Sequence, residues 1–337
     1  MIEQQNFPST VITTQDIFLA KHRIAPITKK TSLIESPWLA EMVDCNVYLK
    51  PENLQETGSF KIRGAANKIL SLPQDQRNRG VITVSSGNHG RALAYLAKKL
   101  NFRAVVVLSE TSAEGKRKTI MELGAEAIVQ KTYDDAYEYA NKLVEEQNLV
   151  MVDPFDDPAV IAGQGTIGLE ILEELPEIST VIVPLSGGGL LAGISFVLKS
   201  VNPSIKLIGV SMERGPAMVE SLKAGRIVKI IQEPTLADAL AGDLSSPNIY
   251  TFKMIQEYVD ETILVSEEEI AGAMTFALEK HHLVVEGGAA VGIATLLYRK
   301  VKHLGNNVAV VVSGCNVDLP VLLKVAQDHY PYQEAIA

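Results

Sequence analysis

The sequence predicts an α/β protein whose parallel sheets are covered by helices. Three observations carry that expectation. Short runs rich in β-branched residues alternate with helical patterns. Most of the glycine- and serine-rich segments follow directly on those runs, where open α/β sheets bind their ligands. The alternation pauses once, around residues 150–180.

The elements follow in order. VITVSS (81–86) leads to a helical pattern at 91–100, RAVVVL (103–108) to one around 116–123, and EAIVQK (126–131) to one around 135–146. After the pause, TVIVPL (180–185) leads to LLAGISFVLKS, KLIGVS (206–211) to a helix near 217–223, and NVAVVVSG (307–314) to VDLPVLLKVAQ. The strand runs are apolar nearly throughout, as strands buried on both faces require. The pause, DPFDDPAVIAGQGT, reads as a return from a small domain to a large one. We therefore expect a small domain over 54–151 and a large domain built from 1–53 and 152–337.

Composition narrows the function. The chain has 337 residues, 47% hydrophobic and 21% charged, with a formal net charge of −9. Nucleic acid is not expected as a partner, because phosphate backbones call for clustered Lys and Arg. Cys45 and Cys315 lie far apart and form no disulfide framework, which fits a reducing cytosol. The N-terminus lacks a basic patch followed by an apolar core, so no signal peptide is expected. Residues 181–198 are uncharged and long enough to test as a membrane span, but Pro184 and Gly187-Gly188-Gly189 interrupt them. Strand, loop and helix is the better description, and no membrane partner is expected.

Five segments could carry chemistry. In TGSFKIRG, Lys61 stands between Phe60 and Ile62 at the start of a helix. Apolar surroundings would favour its neutral amine and hence Schiff-base chemistry; the alternative is a surface lysine beside a Thr57 or Ser59 cap. In SSGNHG, Gly87 and Gly90 let the backbone approach a ligand, and the helix that follows offers N–H groups to a carboxylate; the alternative is an ordinary helix cap. His89 there is a ligand, a catalyst or a structural histidine. Three successive glycines after TVIVPL, Gly187 to Gly189, cost backbone entropy and make sense if N–H groups converge on a phosphate. Gly187, Gly189 and Ala192, with Glu213 beyond the next strand, also fit a dinucleotide pattern. Ser313 could hydrogen-bond a ring nitrogen or cap a helix. Cys315 has no evident positive neighbour and reads as a packing residue. Glu286, before Gly287-Gly288, is an N-cap or faces a cofactor. His281-His282 are adjacent and would diverge on a helix, so no metal spacing is present.

Taken together and in this order, LQETGSFKIRGAAN, SSGNHGRALAY, DPAVIAGQGTIGLEI, PLSGGGLLAGI and VVVSGCNVDL resemble the fold type II pyridoxal-phosphate enzymes of the threonine/serine dehydratase and serine racemase family. The resemblance runs from about Ile17 to Leu323. It implies a two-domain fold of the tryptophan synthase β type, with pyridoxal 5'-phosphate in the large domain. It implies that Lys61 forms the Schiff base and removes the α-proton, with Ser86 on the opposite face. Asn88 would bond the cofactor's phenolic oxygen, and Phe60 would pack near its ring. Ser85, Asn88 and His89 would hold the substrate carboxylate. Gly187, Gly188, Gly189 and Leu190 would hold the phosphate, Ser313 would face the pyridine nitrogen, and Glu286 would lie near the cofactor.

The implied reaction is elimination of water from a β-hydroxy amino acid, giving a keto product and ammonia. An amino-acid racemase using Lys61 and Ser86, a nicotinamide-dependent dehydrogenase and a non-catalytic sensor are the alternatives. Ser186 stands where family members often have a fourth glycine. Ser211 stands where many have the glutamate of a divalent-cation site, with Glu213 displaced from it, so no metal is expected. PLSGGGL, LQETG and TLADAL are similar to the dehydratase associated with hydroxyectoine utilisation, which points to a substrate other than plain threonine. A small amino-acid substrate, a homodimer and the cytoplasm complete the expectations.

Overall fold

The computed structural model describes residues 12–331 apart from 86, 111–113 and 245–246. In chain order, α1 (Thr14–Ile24), β1 (Ile34–Glu35), α2 (Pro37–Val43) and β2 (Asn46–Pro51) precede α3 (Lys61–Ser71) and α4 (Gln74–Arg79). Then come β3 (Val81–Val84), α5 (Asn88–Leu100), β4 (Ala104–Ser109), α6 (Glu114–Glu122), β5 (Glu126–Gln130), α7 (Tyr133–Gln147) and β6 (Val150–Met151). After α8 (Pro158–Glu174), the chain forms β7 (Thr180–Pro184), α9 (Gly189–Val201), β8 (Lys206–Met212), α10 (Ala217–Ala224) and α11 (Thr251–Tyr258). It ends with β9 (Glu261–Val265), α12 (Glu267–His281), α13 (Gly287–Leu297), β10 (Asn307–Val312) and α14 (Leu319–Asp328).

The strands form two sheets. One has the order β5-β4-β3-β6 and is parallel throughout. The other has the order β1-β2-β10-β7-β8-β9, parallel except for the β1–β2 edge. Alternate residues of the larger sheet enter opposite cores. Ile182, Ile208 and Val310 pack with α12 and α13, while Val181, Val183, Leu207 and Val311 pack with α8 and α9. Burial on both faces explains why these strands read as continuous apolar runs.

The pause at 150–180 holds α8, a helix of 17 residues that the glycines at 163, 165 and 168 conceal in the sequence. A Cβ at Gly163 would stand 2.7 Å from the Arg63 carbonyl oxygen. One at Gly193 of α9 would stand 2.3 Å from that of Ile161. Close packing of α8 on α3 and α9 thus outweighs the weak helix propensity of glycine. Asp157 caps α8, accepting from the backbone N–H groups of Ala159 and Val160. Beneath this junction lies a buried ion cluster. Arg63 donates to Glu52 and Glu170, and Lys50 donates to Glu170. Burial pushes the Glu52 carboxyl up, but the Arg63 charge and hydrogen bonds outweigh it and hold the group below its usual range.

The uncharged residues 181–198 are β7, the glycine loop and most of α9. No helix among the described residues is long and apolar enough to cross a membrane.

Candidate active site

A cleft of about 480 Å³ opens where the two sheets present their carboxyl ends. Two of the five segments, those around Lys61 and Glu286, do not follow a strand of the parallel array, yet both reach it through Gly314. Residues 58–60 and 313–315 form a short antiparallel bridge: Phe60 N–H donates to Ser313 O (3.0 Å) and Cys315 N–H to Gly58 O (2.9 Å). Glu286 N–H donates to Gly314 O at 3.1 Å. A Cβ at position 314 would stand 2.3 Å from Glu286 Oε1, so any other residue there would displace that carboxylate. The end of β10 thereby fastens the lysine and the glutamate to one point.

Lys61 is the first residue of α3 and is buried, not the capped surface lysine of the alternative; no side chain caps that helix. Its Nζ donates to Pro154 O at 2.8 Å and lies 4.0 Å from the centroid of the Phe155 ring and 5.2 Å from that of Phe60. Burial is the main cause that pulls its pKa down to about 7; Asp153 and Glu286 oppose it. The amine is thus a nucleophile near neutrality.

Across the cleft, Gly187 and Gly188 precede α9, and Gly189 and Leu190 begin it. Gly188 adopts φ +89°, a conformation that favours glycine. A Cβ at Gly187 would lie 2.3 Å from the Phe155 ring, and one at Gly189 would lie 2.6 Å from Phe155 O. The loop therefore keeps its free N–H groups at a helix N-terminus, with Phe155 packed against it. That fits a phosphate.

The remaining residues meet between these two features. Asn88 Nδ2 donates to Glu286 Oε1 at 2.6 Å, and Asn316 Nδ2 donates to Asn88 Oδ1. Glu286 occupies the N-cap position of α13 without capping it; its Oε2 accepts from Asn316 N–H. Ser85 Oγ accepts from Gly87 N–H. Ser313 is buried on the cleft wall and does not cap α14, whose N-cap position is Asp318. Ser86 lies outside the described residues.

His89 is buried, with Nε2 3.2 Å from Val152 O. A carbonyl only accepts, so Nε2 carries the proton and Nδ1 is an acceptor, with no hydrogen-bond partner among the described residues. Burial chiefly, with the nearby Lys61 charge, drops its pKa to about 3. Its ring therefore cannot donate to a carboxylate through Nδ1; only its backbone N–H can. For Cys315 the sequence shows no positive neighbour. In the fold Arg91 is one, but burial and Glu286 outweigh it and the thiol is raised. Ser211 is buried in β8, and the described residues contain no group of three His, Cys, Asp or Glu able to hold a metal.

Sequence reasoning missed Phe155, Arg91, Tyr133 and Asn316, all on the cleft wall. Asn316 stood within a quoted motif. Phe155 follows a two-residue strand too short to show as a pattern.

A buried amine near neutrality, facing a glycine-built helix terminus, defines an enzyme of the class that binds a phosphate-bearing aldehyde. Residues 24–314 match the family model for pyridoxal-phosphate dependent enzymes, and the chain belongs to that family. Among curated relatives it is 44% identical to the L-threonine ammonia-lyase of Thermotoga maritima, over 94% of this chain and 78% of that one. Among solved structures it is similar to the processed form of threonine deaminase isoform 2 from Solanum lycopersicum, with TM-score 0.84, 33% identity and coverage of 94% and 88% of the two chains. It is also similar to maize serine racemase, with TM-score 0.88, 32% identity and coverage of 96% and 99%. The two-domain fold type II architecture is thus the observed one, and the cofactor is pyridoxal 5'-phosphate.

Proposed function

We propose that this chain is a threonine-type ammonia-lyase that eliminates water from a β-hydroxy amino acid and releases a keto acid and ammonia. The observation that carries the proposal is Lys61, a buried amine held near neutrality opposite a glycine-built phosphate seat. The 44% identity to an L-threonine ammonia-lyase supports the reaction class. When bound, the cofactor supplies an electron sink for negative charge at Cα.

The protein's own residues then have these tasks. Backbone N–H groups of 187–190 would bind the phosphate dianion at the N-terminus of α9. With the cofactor bound, Ser313 would face its pyridine nitrogen, where a hydroxyl would not enforce protonation as a carboxylate would. Asn88, braced by Glu286 and Asn316, would offer its remaining amide hydrogen to the cofactor's phenolic oxygen. Phe60 and Phe155 shield the lysine from water. Ser85 and the N–H groups of Asn88 and His89 orient the substrate carboxylate at the start of α5. Lys61 Nζ takes the proton from Cα, and the family resemblance assigns the opposite face to Ser86.

Lys61→Ala tests the assignment: visible absorbance that borohydride discharges, and all turnover, should vanish. Normal ammonia release by that variant refutes it. The resemblance to maize serine racemase supports a second activity, racemisation. Keto acid without D-enantiomer from L-serine or L-threonine would exclude it as the main one.

Four finer points belong to the same proposal. The division into 54–151 and the remainder follows the two sheets. A homodimer is supported by exposed Trp38, Leu54, Leu319 and Leu323, and light scattering tests it. Cys45 and Cys315 are both free, in keeping with the cytoplasm. The similarity of TLADAL and PLSGGGL to the hydroxyectoine-utilisation dehydratase supports a substrate beyond threonine, which a panel including ectoine-derived hydroxy amino acids tests by ammonia release.

A further inference from the structure

Arg91, in α5, lines the cleft together with Thr119 and Ile120 of α6. It is half-buried. Among the described residues its side chain has no hydrogen bond and no carboxylate at ion-pair distance. The contrast with Arg63 is direct, since that guanidinium is held by Glu52 and Glu170. Glu286, Asp238 and Asp318 share the cleft with Arg91; Glu286 is engaged by Asn88 and Asn316, and none of the three forms an ion pair with the guanidinium. A guanidinium drawn partly out of water with no carboxylate at ion-pair distance loses hydration without a direct contact to offset it. Its planar fork matches a carboxylate, and the cavity leaves room for a ligand to bring one.

The carboxylate on Cα is already provided for by Ser85 and the N-terminus of α5. Arg91 stands three residues beyond Asn88, on the same side of the helix, and its charge is felt at Cys315 in the other domain. With the Cα carboxylate seated at the start of α5, a cleft-lining cation one turn further along that helix is placed to meet the substrate's side chain.

We propose that Arg91 binds a second carboxylate, carried on Cβ, and that the preferred substrates are β-hydroxy-α-amino dicarboxylic acids, of which 3-hydroxyaspartate is the smallest. This rests on the ammonia-lyase assignment. The chemistry balances without an oxidant. The Cα–H and Cβ–OH bonds break, a Cα–Cβ double bond forms and one water leaves. The released enamine tautomerises to an imine, which takes up one water to give oxaloacetate and ammonia.

The test uses holoenzyme in two arms. In the first, kcat/KM is measured for threo- and erythro-3-hydroxyaspartate, threonine and serine, with wild type and with Arg91→Gln and Arg91→Lys. We expect 3-hydroxyaspartate to exceed threonine at least tenfold in wild type. Arg91→Gln should lower that ratio at least tenfold, and Arg91→Lys should restore part of it. In the second arm, succinate and butyrate, which cannot react, are titrated by calorimetry. Succinate should bind at least tenfold more tightly, and Arg91→Gln should remove the difference. The proposal is overturned if threonine and 3-hydroxyaspartate lose equally in Arg91→Gln, which would put Arg91 on the Cα carboxylate. It is also overturned if a hydroxy amino acid with a cationic side chain is preferred, or if succinate binds no better than butyrate. Failure of every hydroxy amino acid to release ammonia would instead refute the lyase assignment, and the succinate arm would still decide the role of Arg91.

Discussion

The depressed pKa of Lys61 makes the stability of the cofactor-free protein depend on pH in a calculable way. Burial moves the amine from 10.5 in the unfolded chain to about 7 in the folded one. Each pH unit of that displacement corresponds to about 1.4 kcal/mol, so keeping this amine at the cleft floor costs about 5 kcal/mol when fully expressed. The folded pKa lies below the unfolded one, so the unfolded chain binds more protons between them, and stability rises with pH across that window. The contribution is fully regained above about 10.5 and is lost as pH falls toward about 7. Between pH 7 and pH 9.5, linkage returns about 3 kcal/mol. Urea unfolding of cofactor-free wild type and Lys61→Met at these two pH values isolates the effect, because methionine has a similar shape and no charge. Wild type should gain about 3 kcal/mol relative to Lys61→Met on going to the higher pH. Parallel profiles for the two proteins would show that the amine is not desolvated, and the case for a neutral nucleophile would fall.

Other outcomes follow from named contacts. Gly187→Ala puts a methyl group 2.3 Å from the Phe155 ring, so cofactor titration should show at least tenfold weaker binding, partly restored by adding Phe155→Leu; unchanged affinity would remove Phe155 as the constraint. Arg63→Met leaves Glu52 and Glu170 without their shared cation and should cost about 3–5 kcal/mol in urea unfolding; a loss below about 1 kcal/mol would mean that the cluster is hydrated or rearranges. His89, with its pKa near 3, should show the neutral Nε2–H tautomer by nitrogen NMR from pH 8 down to pH 5, and an imidazolium signal in that range would contradict the buried contact to Val152. Because the His89 pKa is lowered, its stabilising contribution is present above about 6.5 and declines as pH falls toward about 3.

Much of the cleft was legible in one dimension because its parts obey local rules. A strand followed by glycines and a helix needs only neighbouring residues to announce itself, and β3, β7 and β10 did so. Gly187 to Gly189 signalled close backbone approach because glycine has few other uses there. What was illegible involved partners far apart in the chain. The glycines of α8 obscured a long helix, since their purpose is contact with α3 and α9. Phe155 carries no motif, and its importance comes from lying against both Lys61 and Gly187.

By itself, then, the sequence determined the α/β class, most strand positions and the order of the glycine-rich turns, because strand burial, glycine conformation and helix termini are properties of short stretches of chain. Only the tertiary structure decided that the Lys61 and Glu286 segments join the end of β10 at Gly314, that burial disfavours a charged His89 ring, and that Arg91 enters the cleft without an ion pair among the described residues. Desolvation and charge pairing depend on what surrounds a group in three dimensions, and residues 61, 155, 187, 286 and 314 become neighbours only when the two sheets are in place.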